Sequence, residues 1–255
     1  MNKTINTLKQ SFRLIKQNKA LFTLLFFLQT GFIVLISYIF IHYYIIITDS
    51  LAGISQLMET IKLDTANMQQ MLAINTQYNS ALKIAILAFV LAYLSYVLIN
   101  GLIWDLSNKL VNKKFQFPKY EFQFALLTII FTLPAILIFR AILKSLISLQ
   151  FVEPMKIVFI AIIIITWYFM MIAFSLIQKH DLKQILKKAF IIGCKKAKIL
   201  IPAYLIIIII LSLILYLVYY AAITSSLLLI IISLILLVES IIWSRIYFLT
   251  TAKNL

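Results

Sequence analysis

Long, predominantly apolar stretches constrain this chain more than any other feature. A helix needs about 20 residues to cross a bilayer, and six of these stretches are at least that long. They are residues 20–47, 81–104, 122–147, 155–178, 199–223 and 227–248. Because a helix satisfies its own backbone hydrogen bonds, segments of this length in lipid are expected to be helical. We therefore predict an all-α polytopic membrane bundle of six transmembrane helices, forming a single integral membrane domain over residues 1–255.

Composition agrees with a membrane location. Soluble domains are about 45–50% apolar and about 25% charged. This chain is 64% apolar and 12% charged, and its mean hydropathy is +1.05. The first apolar stretch has 28 residues, which exceeds the roughly 7–15 apolar residues of a cleavable signal peptide. We expect this stretch to stay in the mature protein.

Basic residues are distributed unevenly between the segments that join the apolar stretches. The N-terminal segment, the loops after the second and fourth stretches, and the C-terminal tail together with Arg245 at the end of the sixth stretch carry 18 of the 23 Lys and Arg residues. The opposite side carries five, and cytoplasmic loops are the ones that hold an excess of Lys and Arg. The sequence therefore predicts a multi-pass protein of the cell membrane with both termini in the cytoplasm.

Two segments outside the apolar stretches have the periodicity of amphipathic helices. Residues 1–19 and residues 181–193 both place apolar side chains at three- and four-residue spacing among basic ones. Asp181 is a candidate N-cap of the second helix, and Gly193 is a candidate end. Basic helices of this kind lie in the headgroup plane and attract anionic lipid. We predict anionic-lipid contacts at Lys9, Arg13, Lys16, Lys19, Lys187, Lys188, Lys195, Lys196 and Lys198.

The same basic clusters have a second interpretation, a docking surface for an acidic cytosolic protein or for nucleic acid. Membrane insertion by itself requires such charge. We therefore predict contact with the lipid bilayer and no nucleic-acid partner, and a protein partner stays unidentified. The outer segment 48–80 has helical spacing of apolar residues. It predicts a helical hairpin or helical extensions of the first two stretches, as a structural cap or as an extracellular binding surface.

One acidic residue, Glu239, lies inside an apolar stretch, and an ionisable residue in a transmembrane helix is a candidate functional group. It lies six residues before Arg245, which is about 9 Å of helix rise. Residues at a similar distance from the cytoplasmic ends of other stretches are Asn100, Ser175 and Tyr204, so we predict a polar cluster of these four. The alternative is a lone carboxyl group that stays protonated or extends to the basic interface.

Residues that chemistry usually requires are scarce. The four glycines are too far apart for a phosphate-binding loop or a dinucleotide fingerprint, and neither a zinc-protease helix motif nor a nucleophile elbow occurs. The two histidines are 138 residues apart and there is one cysteine, whereas a structural zinc site needs about four such ligands. We predict no catalytic residues, no cofactor and no metal site.

The segment Ser11-Phe12-Arg13-Leu14-Ile15-Lys16-Gln17-Asn18-Lys19, with its counterpart at residues 187–198, carries a family resemblance. This layout resembles uncharacterised six-span membrane families of archaea and bacteria. It is also similar to the membrane domain attached to some glycerophosphodiester phosphodiesterases. The resemblance implies a helical membrane bundle with no assigned activity, and it does not extend to the phosphodiesterase catalytic domain.

The sequence predicts a non-enzymatic integral membrane protein with a structural or adaptor role through lipid and protein contacts. The alternative is a transport component, such as the permease half of an ABC exporter, which would require a separate ATPase subunit and a dimer. A membrane enzyme acting on lipid has less support, because Glu239 is the main reactive group that the spans offer.

Overall fold

The structure is a computed structural model that describes residues 2–60, 68–147 and 152–253. These ranges hold nine α-helices, one π-helical segment and no strand, so the all-α prediction is confirmed for them. In chain order the elements are α1 (Asn2–Gln17), α2 (Lys19–Thr60), α3 (Met68–Ser95), the π-helical segment (Tyr96–Asn100), α4 (Gly101–Asn112), α5 (Phe117–Ile147), α6 (Val152–Leu176), α7 (Leu182–Lys195), α8 (Ala197–Ile223) and α9 (Leu227–Lys253).

Four helical stretches of the described ranges are long and apolar enough to cross a membrane. They are Lys19–Gln56, Met71–Asn112, Ala197–Ile223 and Leu227–Lys253. A shorter apolar stretch lies at Ile160–Leu176. The structure is therefore that of a helical protein whose apolar helices suit association with a membrane.

The described part of the outer segment 48–80 is helical. The helix α2 continues to Thr60, and α3 begins at Met68. Both ends are thus extensions of the apolar helices. Residues 61–67 lie outside the described residues, so the connection between α2 and α3, which includes Lys62, is not described.

Both basic clusters that precede an apolar helix coincide with a break between two helices. At the first, the Asn18 side-chain nitrogen donates to the Leu14 carbonyl oxygen at 2.9 Å, which ties the end of α1 to the residue that separates it from α2. At the second, Lys196 has φ −106° and ψ 16° and lies between α7 and α8. In each case the chain turns within the cluster and then enters an apolar helix.

The ends of α7 differ in part from the prediction. Asp181 occupies the N-cap position, but its side chain does not cap the helix. Gly193 does not end α7, which continues to Lys195. The Gly193 carbonyl oxygen accepts a hydrogen bond from the Tyr168 hydroxyl at 2.9 Å, and a Cβ at this position would lie 2.6 Å from Cε1 of Phe169. The glycine therefore permits close packing of α6 on α7.

The described chain divides into two compact units, and the single integral membrane domain stays a prediction. Residues 30–100 form one unit. Within it α2 and α3 approach closely at Gly53, where a Cβ would lie 3.2 Å from Oε1 of Gln77. Phe32 and Tyr96 pack edge to face, with ring centroids 6.0 Å apart.

Residues 1–29 and 101–255 form the other unit. Its core contains an aromatic group in which the Phe174 ring lies 4.3 Å from that of Phe124 and 5.3 Å from that of Trp104, centroid to centroid. In α9 nearly all buried side chains follow Val238, whereas most of residues 227–236 are exposed. The C-terminal half of α9 is thus packed within the unit, and its N-terminal half presents aliphatic side chains outward.

Candidate functional site

The predicted site residue Glu239 faces a cavity. This cavity has a volume of about 340 Å³ and is formed by α1, the start of α2, α8 and α9. Glu239 is exposed, and no hydrogen bond or ion pair joins its carboxyl group to another residue in the three described ranges.

The other three members of the predicted cluster have surroundings that differ from those of Glu239. The Tyr204 hydroxyl donates to the Ile164 carbonyl oxygen at 2.8 Å, which links α8 to α6. The Ser175 hydroxyl donates to the carbonyl oxygen of Ile172, one turn earlier in α6, at 2.7 Å. Asn100 is buried at the end of the π-helical segment and belongs to the unit of residues 30–100. No described hydrogen bond connects Glu239 with Tyr204 or Ser175, so their clustering stays a prediction.

A different polar cluster is present where α4, α5 and α6 meet, and its centre is Asp105. This side chain is fully buried. Its Oδ1 accepts a hydrogen bond from Nε2 of Gln178 at 2.6 Å, and its Oδ2 accepts one from the backbone N–H of Gln116 at 3.2 Å. Two donors from other elements therefore hold the carboxylate, as burial of a charge requires.

Tyr120 extends the same cluster. Its side chain is 1% exposed, and its hydroxyl donates to the carbonyl oxygen of Phe174 at 3.1 Å. The hydroxyl oxygen also accepts a hydrogen bond from Nδ2 of Asn108 at 3.3 Å. These bonds tie the first turn of α5 to α4 and α6.

Glu121 lies beside this cluster, immediately before the apolar part of α5. Both of its carboxyl oxygens are buried and have no hydrogen-bond partner in the described part of the chain. Burial, with the nearby charge of Asp105 as a second cause, raises the pKa of Glu121 from 4.5 to about 7. The Glu121 carboxyl packs directly on Gly101, where a Cβ would lie 2.8 Å from its Cδ. Glycine at this position leaves the space that the carboxyl group occupies.

Two basic residues of α9 border the cluster. The guanidinium carbon of Arg245, a residue that is 8% exposed, lies 5.7 Å from the centroid of the Trp104 ring, which is a cation–π distance. Nζ of Lys253 donates to the carbonyl oxygen of Val111 at 2.7 Å. The C-terminal part of α9 is thereby fastened to α4.

The sequence analysis did not predict Asp105, Glu121 or Arg245 as site residues, because the first two flank apolar stretches and the third lies near the cytoplasmic end of the last one. The sequence did contain a signal for the two carboxyl groups. Asp105 directly follows the stretch 81–104, and Glu121 directly precedes the stretch 122–147. With both ends assigned to the same side of the membrane, two carboxyl groups at equal depth could have been proposed as neighbours.

The predicted lipid-contact residues form the second candidate site. All nine of these Lys and Arg side chains are exposed. The ion pair found in the described ranges joins Lys119 to Asp181, with 3.9 Å between Nζ and Oδ1, and it uses none of the nine. Their charges are therefore not neutralised by carboxylates of the described chain.

The amphipathic segment α1 keeps much of its apolar surface exposed. Ile5 and Phe12 are 44% and 54% exposed. The buried residues of α1 are the small polar Thr7 and Ser11, one turn apart. The helix therefore packs on its neighbours through a narrow polar strip and leaves apolar side chains facing outward.

Comparisons with known proteins add no further assignment: no family model, no curated protein and no solved structure matches this chain. The class that the fold supports is accordingly a helical protein with several apolar, membrane-type helices.

Proposed function

We propose that this is a multi-pass protein of the cell membrane with six transmembrane helices and both termini in the cytoplasm. Four of the six predicted stretches correspond to helices long enough to span. The helices α5 and α6 would supply the remaining two, at residues 122–147 and 155–178. The excess of Lys and Arg on one side supports this orientation.

Its proposed role is non-enzymatic. The chain would act as a structural or adaptor protein that binds anionic lipid at the cytoplasmic face. A protein partner would bind there as well, either to that lipid or to the chain itself. The observation that carries this proposal is the exposure of all nine predicted lipid-contact side chains without carboxylate partners in the described ranges. Each Lys or Arg near an anionic surface contributes about 1 kcal/mol of attraction. Such a set favours an anionic leaflet strongly.

The exposed apolar side chains of α1 support an interfacial position for this helix. A helix in the headgroup layer inserts apolar side chains toward the acyl chains and keeps cationic ones among the headgroups. Ile5 and Phe12 are available for the first contact, and Lys9, Arg13 and Lys16 for the second.

Lipid retention by the purified full-length protein tests the proposal. We expect native mass spectrometry from mixed micelles to show more bound phosphatidylglycerol than phosphatidylcholine. The variant Lys195→Gln/Lys196→Gln should lose part of this preference, because it removes two exposed charges at the junction of α7 and α8. The variant Lys113→Gln/Lys114→Gln removes the same charge outside the two amphipathic segments and should lose less. Equal losses in both variants would contradict a site at these clusters.

Affinity purification from native membranes separates the adaptor role from the alternative transport role. A copurifying acidic or membrane partner without nucleotide-binding motifs would support the adaptor. A stoichiometric ATPase subunit would instead support the permease half of an ABC exporter, and the adaptor proposal would then be abandoned.

A further inference from the structure

The cavity beside Glu239 has the composition of a ligand site. Its volume of about 340 Å³ lies within the range of about 300–1,000 Å³ that small-molecule sites occupy. Most of its wall is apolar and includes Ile210, Ile214 and Leu236. Glu239 is the ionisable side chain among the described lining residues, which include no Lys or Arg.

The carboxyl group of Glu239 has no positively charged partner among the described residues. It lies within the apolar helix Leu227–Lys253, on an exposed part of α9. A charge in an apolar environment is costly unless it is paired. Since no described side chain pairs with it, an external positive group would remove this cost.

Aromatic surface lies next to the carboxyl group. Phe12 and Trp243 both line the cavity, and their rings stack with centroids 5.7 Å apart. Trp243 is covered further by Tyr247, at 5.1 Å, whereas Phe12 is 54% exposed and presents its ring to the cavity. A cation close to an aromatic face is attracted by the ring quadrupole, more strongly when it is desolvated.

We propose that this cavity binds a hydrophobic monovalent organic cation, with the charge beside Glu239 and the apolar groups against the aliphatic wall and Phe12. Charge complementarity selects this class, because a single carboxyl group in a mostly apolar cavity favours a ligand with one weakly hydrated positive charge. The site shares Phe12 with the lipid contacts proposed above, but its charged group is Glu239, whereas those contacts use basic side chains.

Binding of tetraphenylphosphonium to the purified full-length protein in neutral detergent tests the site. We expect saturable binding by equilibrium dialysis, and a loss of affinity of at least about tenfold in Glu239→Gln, a change of 1.4 kcal/mol. Asp181→Asn, which removes an exposed carboxyl group outside the cavity, should bind as the wild type does. Tetraphenylborate has nearly the same shape and the opposite charge, and it should not compete.

A second measurement covers the case in which Glu239→Gln does not fold. Dicyclohexylcarbodiimide labels carboxyl groups in apolar surroundings, and mass spectrometry locates the adduct. Tetraphenylphosphonium should slow labelling of Glu239 in the wild type. Three results would each overturn the proposal and show an apolar pocket without charge selection. They are equal affinity in Glu239→Gln and wild type, competition by tetraphenylborate, and labelling that tetraphenylphosphonium does not slow.

Discussion

Three single carboxyl groups in or beside the apolar helices have very different surroundings in this protein. The Asp105 carboxylate receives two hydrogen bonds from other elements. The Glu121 carboxyl group is buried beside it without a described hydrogen bond, and its pKa is raised to about 7. Glu239 is exposed to an apolar cavity. Burial and available hydrogen-bond donors, rather than residue type, distinguish the surroundings of these three groups.

The raised pKa of Glu121 predicts a stability that depends on pH. The folded protein holds a proton on this carboxyl group between about pH 4.5 and pH 7, and the unfolded chain has released it. The unfolded state therefore binds fewer protons in this window, and stability contributed by Glu121 falls as pH rises through it. We expect Glu121→Gln to remove this fall, so that the variant gains thermal stability relative to wild type from pH 5 to pH 7.5.

Tryptophan-fluorescence melting in detergent, repeated at intervals across this pH range, measures the difference. Asp181→Asn serves as the control, because its carboxyl group is 80% exposed. Parallel pH profiles for wild type and Glu121→Gln would contradict the assignment.

At the scale of elements, α1 shows how a short basic helix attaches to apolar ones. Its buried residues, Thr7 and Ser11, are small, and small side chains allow helices to approach closely. Ser11 satisfies its own hydroxyl by donating to the Leu8 carbonyl oxygen at 2.8 Å. Phe12 adds a stacked contact with Trp243 of α9. Attachment therefore depends on close fit rather than on a broad apolar face.

A larger side chain at Ser11 should separate α1 from its neighbours. Extra methylene groups in a packed contact cost about 1–3 kcal/mol, so Ser11→Leu should speed amide exchange in residues 2–17 by about tenfold or more. Asn6→Leu places the same side chain at an exposed position and should leave exchange near the wild-type rate. Hydrogen–deuterium exchange with mass spectrometry measures both, and equal rates in the two variants would contradict this packing.

At the scale of the whole molecule, the uneven distribution of basic residues and the length of the apolar helices predict the membrane topology. The described residues include four helical stretches that suit spanning, and 18 of the 23 basic residues of the sequence belong to segments assigned to one side. A tight turn with Ser225 at φ 51° joins α8 to α9. In the proposed topology this turn lies outside, and the α7–α8 junction lies in the cytoplasm.

Cysteine labelling in intact cells tests this arrangement. Cys194 is the single cysteine of the chain and is exposed. It should react with a membrane-impermeant maleimide only after the cells are permeabilised. The variant Cys194→Ser/Ser225→Cys should react without permeabilisation, and Cys194→Ser alone should not react. The reverse pattern would invert the topology and would also move the proposed lipid contacts to the outer leaflet.

Several features were predictable because they depend on local sequence. The apolar runs predict long helices whatever their partners are. The basic clusters at residues 16–19 and 195–198 coincide with the breaks before α2 and α8. The N-cap position of Asp181 follows from the change of pattern at that residue. Helix periodicity, charge and chain breaks are all properties of neighbouring residues, and they need no knowledge of tertiary contacts.

The pairing of polar side chains between helices was not predictable in the same way. Asp105 and Gln178 are 73 residues apart, and their hydrogen bond depends on how α4 and the end of α6 are rotated about their axes. The fit of Glu121 against Gly101 and the hydrogen bond from Tyr204 to Ile164 also depend on how each helix is rotated and how deep it lies, to within about one side chain. The sequence by itself determined the helices and their membrane character. Only the tertiary structure decided which polar groups meet, because nearly uniform aliphatic helices carry little information about the face that each turns inward.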